Sequence, residues 1–399
     1  MVPNGWSKTY LKNIISGTIK NGYSPLPAAN TTGYWVMGLG ALTDNGINPT
    51  EIKPVELDAK VKQALLTNGD FLISRSNTPD KVGRSIRFKG EIENCSYPDL
   101  MMKFRVDPEK ADPNFVEFKL SSQEIRQYFK SCAAGSSSTM VKINKSAVEN
   151  TPLLLPSFLE QKKIAQIIST WDKAITTTEQ MLTNSQQQKK ALMQQLLTGK
   201  KRLLDENGVR FGGEWTSYLL DELEALEWVV LGRGNVISKK DIENIPGDYP
   251  IYSSSVKNSG LMGKYGEYMF DEELISWSVD GGGNFFYRPK HKFSVTNVSG
   301  YMRLNTEKLN YQFIAAQLEL HHSRLEFDYQ SKAHPSVIRK TYTLTIPSLD
   351  EQQKIAAVLS TADQEISALQ QKLDVLKQEK KALMQQLLTG KRRVTVEEA

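Results

Sequence analysis

The side chains of this chain that could do chemistry are basic and small polar groups, and they are gathered in predicted loops. One such loop, Arg75–Arg87, combines arginine and lysine with serine and asparagine, and another, Phe285–Lys292, interleaves basic groups with aromatic rings. Duplex DNA attracts lysine and arginine through its phosphates, and arginine, lysine, asparagine and serine read base edges in the major groove. Further short polar side chains stand in Ser136–Thr139, Tyr252–Ser255 and Ser331–His334. These residue types predict a nucleic-acid interface that comprises Arg75, Ser76, Asn77, Lys81, Arg84, Ser136, Ser137, Thr139, Ser254, Ser255, Lys257, Asn284, Tyr287, Arg288, Lys290, Lys292, Lys332 and His334.

Motifs for catalysis are missing from the sequence. It has no G-x-x-x-x-G-K-[ST] phosphate loop, and the isolated Gly232-Arg233-Gly234 is typical of a turn. An Asn/Asp-Pro-Pro-Tyr/Phe motif, expected in a DNA adenine methyltransferase, is absent as well. The histidines show no metal-ligand spacing, since they stand at His291, His321, His322 and His334. We therefore predict that the chain is not a catalyst by itself.

The composition is that of a soluble globular protein of two to three domains. The chain has 399 residues and a formal net charge of +5, with an isoelectric point near 8.8, which permits a nucleic-acid partner without requiring one. Cys95 and Cys132 are too few and too isolated for a disulfide framework or a zinc site. No apolar run is long enough to span a bilayer, and the N-terminus has no signal-peptide pattern. We expect a cytoplasmic protein.

The elements that must position the predicted interface include a stretch that occurs twice. Pro156–Arg202 and Pro347–Arg393 align without a gap, and the run ALMQQLLTGK is identical in both copies. A capping box is predicted at the start of each copy, formed by Ser157 with Glu160 and by Ser348 with Glu351. Each copy ends on a glycine followed by basic residues, which is typical of a helix C-terminus. We predict two long helices.

Between these signals the apolar residues follow the alternating four- and three-residue spacing of a coiled-coil seam. At about 1.5 Å per residue each helix reaches roughly 60 Å, which is too long for a compact domain to bury alone. The helices could pair antiparallel within one chain, or each could dimerise with another molecule; a generic coiled-coil surface is a further alternative. Thr178 and Ser185 interrupt the first seam and would stack on themselves in a continuous homodimer, so we favour the intramolecular pair.

A globular segment of mixed α/β character precedes each helix. In the first segment we predict a turn feeding a buried strand over Gly69–Ser74 and a helix at Phe115–Lys130, and in the second a strand at Leu274–Trp277 and a helix at Leu309–Leu320. The predicted fold class is α+β: two mixed α/β domains separated by two long helices that form an antiparallel coiled coil, as a pseudo-two-fold internal repeat. The predicted segments are 1–155 and 205–346 for the domains, 156–204 for the first helical spacer, and 347–399 for the second spacer with a C-terminal tail.

This pattern resembles the DNA-specificity subunit of type I restriction–modification systems, over essentially the whole chain. The resemblance rests on the paired E-Q-x-K-I-A and K-K-A-L-M-Q-Q-L-L-T-G-K motifs of the long helices, at Glu160–Ala165 with Glu351–Ala356 and at Lys189–Lys200 with Lys380–Lys391. G-D-F-L-I-S-R-S at Gly69–Ser76 and L-I-S-W-S-V-D-G-G-G-N-F-F-Y at Leu274–Tyr287 support it in the globular segments.

The resemblance implies that each globular segment is a target-recognition domain that reads one half of a bipartite, asymmetric DNA site. The coiled coil would fix the gap between the halves. Two modification subunits, with S-adenosylmethionine, and two restriction subunits, with ATP and Mg, would be the partners, so the resemblance implies no cofactor in this chain. A stand-alone DNA-binding regulator and a structural coiled-coil protein are the alternative functions.

Overall fold

The structure is a computed structural model that describes residues 2–44, 46–135, 140–255, 257–280, 284–325 and 333–395. The chain divides into two compact units, the first formed by residues 1–177 with 372–399 and the second by residues 178–371. Two helices of 39 residues each, Phe158–Leu196 and Leu349–Leu387, contribute one half to each unit. Each unit therefore combines a globular α/β part with a segment of both long helices.

The described part of the first unit contains thirteen strands, four short α-helices and one 3-10 helix, Leu11–Asn13. The strands are β1 Ser7–Tyr10, β2 Ile15–Asn21, β3 Trp35–Met37, β4 Leu42–Thr43, β5 Gly46–Ile47, β6 Ile52–Pro54, β7 Phe71–Ser74, β8 Ser76–Asn77, β9 Ser85–Arg87, β10 Cys95–Ser96, β11 Met101–Val106, β12 Val141–Lys142 and β13 Pro152–Leu155. The helices are α1 Ala59–Gln63, α2 Pro113–Ser121, α3 Gln123–Cys132 and α4 Lys145–Glu149, and the first long helix, α5, is Phe158–Leu196.

The predicted strand after Gly69 is confirmed as β7, which lies inside a four-stranded sheet of order β2-β11-β7-β9. Successive side chains of a strand point to opposite faces. Phe71 and Ile73 accordingly pack into the cluster that contains helices α2 and α3, while Leu72 packs into a second cluster beneath the small sheet β10-β3-β6. Because apolar material covers both faces, the whole strand is buried.

The predicted single helix Phe115–Lys130 is wrong in one respect, since two helices occupy this range. The backbone of Ser122 is extended, with ψ 152°, and its hydroxyl accepts a hydrogen bond from Ile125 N–H as the N-cap of α3. A serine in an apolar periodic segment can end one helix and start the next by this means. The chain direction changes at Ser122, which the apolar period alone does not reveal.

The second unit is built on a six-stranded sheet of order β15-β20-β18-β19-β16-β17. Its strands are β14 Thr216–Leu219, β15 Val229–Arg233, β16 Tyr249–Tyr252, β17 Leu261–Tyr265, β18 Phe270–Ser278, β19 Phe285–Val295, β20 Ser299–Leu304 and β21 Thr343–Ile346. Its helices are α6 Leu220–Ala225, α7 Lys239–Asn244, α8 Tyr311–His322 and α9 Pro335–Thr341, and the second long helix, α10, is Leu349–Leu387. The strand predicted at Leu274–Trp277 is part of β18, and the helix predicted at Leu309–Leu320 is α8.

The halves of the long helices run antiparallel within each unit. In the first unit Ile164 and Ile168 share a core cluster with Leu387, and further along Asp172 pairs with Lys380. As the residue number rises on one helix it falls on the other. The predicted intramolecular antiparallel coiled coil is thus confirmed.

The same direction holds in the second unit, where the polar interruptions of the seam have partners on the opposite helix. Ser185 Oγ donates to Glu365 Oε1 over 3.0 Å, and Lys189 Nζ lies 2.7 Å from Asp363 Oδ1. These pairs give the two helices a fixed register, because slipping either helix would leave a polar group against an apolar one.

The internal repeat extends to buried polar groups. Gln161 accepts from Asp112 N–H and donates to the Pro156 carbonyl, and Gln352 makes the same bonds with Asn310 N–H and the Pro347 carbonyl. Strands β1 and β13 pair antiparallel at the base of the first unit, as β14 and β21 do in the second.

The predicted capping boxes are half confirmed. The hydroxyls of Ser157 and Ser348 accept from the N–H groups of Glu160 and Glu351, at 3.3 and 3.4 Å. The carboxylates of Glu160 and Glu351 do not bind back to the serines. Each carboxylate instead binds an arginine that lies just after the C-terminal end of the other long helix. Glu160 binds Arg393 and Glu351 binds Arg202 through two oxygen–nitrogen contacts each.

These arginines also hold the globular parts. Arg202 donates to the carbonyls of Gly212 and Gly213, at 3.0 Å each, and the Trp215 N–H donates to Glu351 over 3.2 Å. Arg393 donates in the same way to the Asn4 carbonyl. We call each arrangement a clasp: the arginine, the glutamate and the backbone segment just before β1 or β14.

No helix in the described part of the chain has the length and apolarity needed to cross a membrane.

Replacing Glu351 with alanine should lower the free energy of unfolding of the second unit by about 3 kcal/mol, because the Arg202 guanidinium and the Trp215 N–H lose their acceptor at a buried site. Urea unfolding followed by tryptophan fluorescence measures the loss. The control is Lys264→Ala, which breaks an ion pair with Asp248 whose side chains are 63% and 92% exposed and should cost less than about 1 kcal/mol. Equal losses in the two variants would contradict this role of the clasp.

Candidate nucleic-acid interface

The predicted residues of the first unit fall into a buried and an exposed group. Ser76 and Asn77 form strand β8, which pairs with β12, and both side chains are buried. The Asn77 amide donates to Ser74 Oγ over 3.3 Å, so it is used in a hydrogen bond inside the protein. Arg75 is half-buried, with Nη1 3.4 Å from the Asp99 carbonyl. Neither Ser76 nor Asn77 is open to solvent in this conformation.

Arg84 and Lys81 differ in the charge that they present. The Arg84 guanidinium grips Asp44 with two bonds of 2.7 and 2.6 Å and the Leu42 carbonyl with a third. A bidentate pair of this kind neutralises the arginine and uses its fork. Lys81 is exposed and has no ion pair within the described residues. Of the two, Lys81 is the free cation.

An arginine that the sequence analysis missed holds the segment that carries Lys81. Arg126, on helix α3, donates to the Val82 carbonyl over 2.6 Å and to the Asp80 carbonyl over 2.7 Å. Burial of its guanidinium lowers the pKa of Arg126, and the charge of Arg84 lowers it further. Because each donor is fixed to a different carbonyl, the turn at residues 78–82 keeps one shape. Its position inside an apolar helical period gave no signal of this role.

Two further basic residues of the first unit, Lys103 and Arg105, bind a buried aspartate. Asp70, only 2% exposed, accepts bonds from Arg105 Nε, Lys103 Nζ and Thr67 N–H at 2.7, 3.1 and 2.9 Å. Burial by itself opposes ionisation, but these bonds and the Lys103 charge outweigh it and lower the pKa of Asp70. Lys103 and Arg105 therefore support the sheet beside β7.

In the second unit the predicted loop Phe285–Lys292 is wrong, because these residues belong to strand β19. Alternate side chains therefore point to opposite faces of the sheet. The Tyr287 hydroxyl donates to Glu273 over 2.5 Å, and burial together with that carboxylate raises the pKa of Tyr287 to about 12. The Arg288 side chain is 5% exposed, and burial lowers its pKa to about 10.

The two lysines of β19 remain outside the core. Lys290 and Lys292 are exposed, and the Lys292 ammonium lies 4.8 Å from the Tyr268 ring centre and 5.7 Å from that of Tyr249. Tyr268 is itself 44% exposed. A cation on aromatic faces beside a free lysine is a combination that suits a phosphate backbone.

The remaining predicted residues surround this strand. Lys257 is exposed in the β16–β17 connection, where Ser255 Oγ accepts from its N–H, and Ser254 offers its carbonyl to Ser278 Oγ. Asn284 is half-buried at the start of β19. His334 Nε2 lies 3.0 Å from Arg233 Nη1. Four predicted residues lie outside the described part of the chain: Ser136, Ser137, Thr139 and Lys332.

Each unit has exposed cations that suit a phosphate backbone: Lys81 in the first unit, and Lys257, Lys290 and Lys292 in the second. No group of three or more histidine, cysteine, aspartate or glutamate side chains among the described residues is placed to hold a metal ion. Both cysteines are free thiols, Cys95 buried and Cys132 half-buried. Whether the predicted residues contact DNA stays a prediction.

Solved structures share this fold. The crystal structure of a type I restriction-modification system S subunit from M. genitalium covers 97% of this chain and 99% of its own, with a TM-score of 0.64 at 16% identity. A second structure, which concerns complex assembly and conformational transition of the type I R-M system, covers 98% of this chain and 100% of its own, with a TM-score of 0.57 at 15% identity. At these identities the likeness concerns the fold alone.

Curated relatives align over all or part of the sequence. A provisionally named MjaX type I restriction enzyme specificity subunit of Methanocaldococcus jannaschii is 25% identical over 423 residues, covering 98% of this chain and 95% of that protein. The type I restriction enzyme MpnII specificity subunit of Mycoplasma pneumoniae is 31% identical over 131 residues, which are 32% of this chain and 39% of that protein. The sequence model of the type I restriction modification DNA specificity domain matches residues 5–185 and again residues 214–378. These two matches span most of the sequence, and the chain therefore belongs to the type I restriction modification DNA specificity family, with two copies of its domain.

Proposed function

We propose that this chain is the non-catalytic subunit that reads a bipartite, asymmetric DNA site, with one half-site for each globular part. The observation that carries the proposal is the contrast inside the repeat. The clasps and the helix seam recur in both units, whereas the candidate contact segments are unlike. The first unit offers a turn held by Arg126, and the second a β16–β17 hairpin beside the lysines of β19. A common scaffold with two different readers suits a site whose halves differ in sequence.

The long helices serve as the spacer in this proposal. When one half-site is bound, a rigid connection makes the second encounter intramolecular, so the two affinities multiply only if the distance between the halves fits. The polar pairs along the seam support this role, because they set one register for the helices. In this proposal the base contacts determine which sequence is recognised, and the helices determine the length of the gap between the half-sites.

The partners in this proposal are two modification subunits, which methylate adenine with S-adenosylmethionine, and two restriction subunits, which use ATP and Mg. The cofactors belong to these partners, and the assembly works in the cytoplasm. The chain itself supplies DNA binding and a scaffold with two similar faces, one from each copy of the repeat.

Deleting this gene should abolish adenine methylation at one split motif, two short halves around a fixed gap, because without this subunit the methyltransferase has no target. Long-read mapping of methylated adenines in strains with and without the gene measures this. Re-expression of the chain is the control and should restore the same motif. An unchanged methylome in the deletion strain, with the modification partner expressed, would favour a stand-alone regulator.

Adding one heptad to both long helices, after Asn184 and after Glu365, should widen the gap by about three base pairs. Seven residues add about 10 Å to a helix at 1.5 Å each, and DNA rises 3.4 Å per base pair. The methylation map reads the gap directly. The matched control is an insertion of seven residues in the exposed turn after Glu206, which should leave the gap unchanged. If the double insertion in the helices also left the gap unchanged, the helices would not be the spacer.

Lys81→Ala should weaken binding of a duplex with the mapped motif and reduce the slope of log affinity against log salt by about one, because one phosphate contact is lost. Titrations of the methyltransferase complex at several salt concentrations give the slope. The control is the double variant Arg84→Ala with Asp44→Ala, which removes a neutral pair and should leave the slope unaltered. If the slope fell only in the double variant, Arg84 rather than Lys81 would be the phosphate contact.

A further inference from the structure

We propose that Asn258 reads an adenine in the half-site of the second unit, and that Arg288 is the positioning residue that holds Asn258 in place. This inference rests on the proposed function and assigns one specificity contact within it. Asn258 is outside the interface predicted from the sequence, whereas Arg288 was predicted to contact DNA itself.

Arg288 lies behind the β16–β17 connection. Its Nε donates to Ser276 Oγ over 2.9 Å and its Nη2 to the Ser259 carbonyl over 2.6 Å. The guanidinium carbon lies 3.7 Å from the centre of the Tyr252 ring. These contacts join strand β18, the root of the hairpin and its tip. With the side chain buried, they leave Arg288 no path to a phosphate.

The tip of this connection has a left-handed backbone. Asn258, Ser259 and Gly260 all have positive φ, at 50°, 51° and 84°. Gly260 is suited to this geometry, since a Cβ there would lie 2.7 Å from the Ser253 carbonyl oxygen. Serine has no such preference, so two consecutive non-glycine residues in the left-handed region are strained and persist only where the surroundings fix them.

Several bonds fix this tip from below. Ser253 N–H donates to the Gly260 carbonyl over 2.7 Å and closes the connection. Ser278 Oγ donates to the Ser254 carbonyl over 2.9 Å, and Arg288 takes the Ser259 carbonyl. These bonds hold the backbone at Ser253, Ser254, Ser259 and Gly260, and the side chains at 257–259 are all exposed.

The side chain of Asn258 is exposed and ends in an amide group. Among the described residues the Asn258 amide has no hydrogen-bond partner, in contrast to Asn77, whose amide is buried against Ser74. An exposed carboxamide offers one donor and one acceptor side by side, and this pair matches the N6 and N7 edge of adenine in the major groove. Lys257, next to it, is an exposed cation suited to the flanking phosphate. A preorganised amide with a neighbouring lysine is thus equipped to read one base.

Asn258→Gly provides the direct test, because glycine adopts positive φ without strain and the tip keeps its shape. The chain is co-expressed with its modification subunits, and methylated adenines are mapped. We expect one adenine of one half-site to become degenerate, with at least a tenfold loss of preference, while the other half-site and the gap stay the same. The thermal midpoint of the variant should equal or exceed that of the parent chain.

The matched control is Asn94→Gly, since Asn94 in the first unit is also exposed and has φ 51°, yet its tip has no buried arginine behind it among the described contacts. Its motif should be unchanged. An unchanged motif in Asn258→Gly would overturn the inference, and so would an equal change in Asn94→Gly. If the parent chain specifies no split motif at all, the proposed function itself fails, which is a different outcome.

Arg288→Lys separates positioning from contact. Lysine keeps the positive charge but cannot donate to Ser276 and Ser259 while stacking on Tyr252. For a positioning residue we expect several adjacent bases of that same half-site to become degenerate, with the salt slope of DNA binding unchanged. Parental specificity in Arg288→Lys would show that charge alone matters and would overturn the positioning role, independently of the result for Asn258.

Discussion

A buried carboxylate at the start of each long helix is the interaction on which the rest of this fold depends. The side chains of Glu160 and Glu351 are 2% and 1% exposed, and an isolated charge in such a place would be strongly unfavourable. Arg393 and Arg202 satisfy them with paired bonds and also bind backbone carbonyls just before β1 and β14. One ionic contact therefore joins a helix start, a helix end and a globular part within each unit.

The end of a long helix is capped in both units, but by a different residue in each. Lys119, fully buried on α2, donates to the Leu388 carbonyl at the end of α10 and to Glu124. Gln317 has the same position on α8 and donates to the Leu197 carbonyl at the end of α5. A charged donor and a neutral donor cap equivalent helix ends, because what the site requires is an N–H group aimed at an unpaired carbonyl. The repeat thus persists in its hydrogen bonds where its sequence has diverged.

Arginine acts on the candidate interface in a similar way, by binding carbonyls. Arg126 holds the turn at 78–82, and Arg288 holds the hairpin tip at Ser259. In both cases a guanidinium that is at least half-buried binds a backbone carbonyl of a connecting segment, and an exposed lysine, Lys81 or Lys257, lies on that segment. A rigid tip loses little conformational entropy when it binds, which favours discrimination between base sequences.

The sequence by itself determined the architecture. The apolar period predicted the long helices, their polar interruptions favoured the intramolecular antiparallel pair, and the duplicated motifs predicted two copies of one domain. These features are local or repeated, so they can be recognised without knowing which residues meet. The predicted turn and buried strand over Gly69–Ser74 were correct for the same reason, since a strand buried on both faces, here Phe71–Ser74, has a continuous apolar pattern.

Only the tertiary structure decided which basic residues are free. Arg84, Arg288 and Lys81 look alike in sequence, but Asp44 neutralises the first, the sheet buries the second and the third remains exposed. Their partners are distant in the chain, as Arg84 and Asp44 are, or come from several strands, as Ser276 and Tyr252 do around Arg288. Burial and pairing depend on the folded surroundings of a residue. Residue type alone could therefore not indicate that Arg288 positions the hairpin tip or that Asn258 contacts a base.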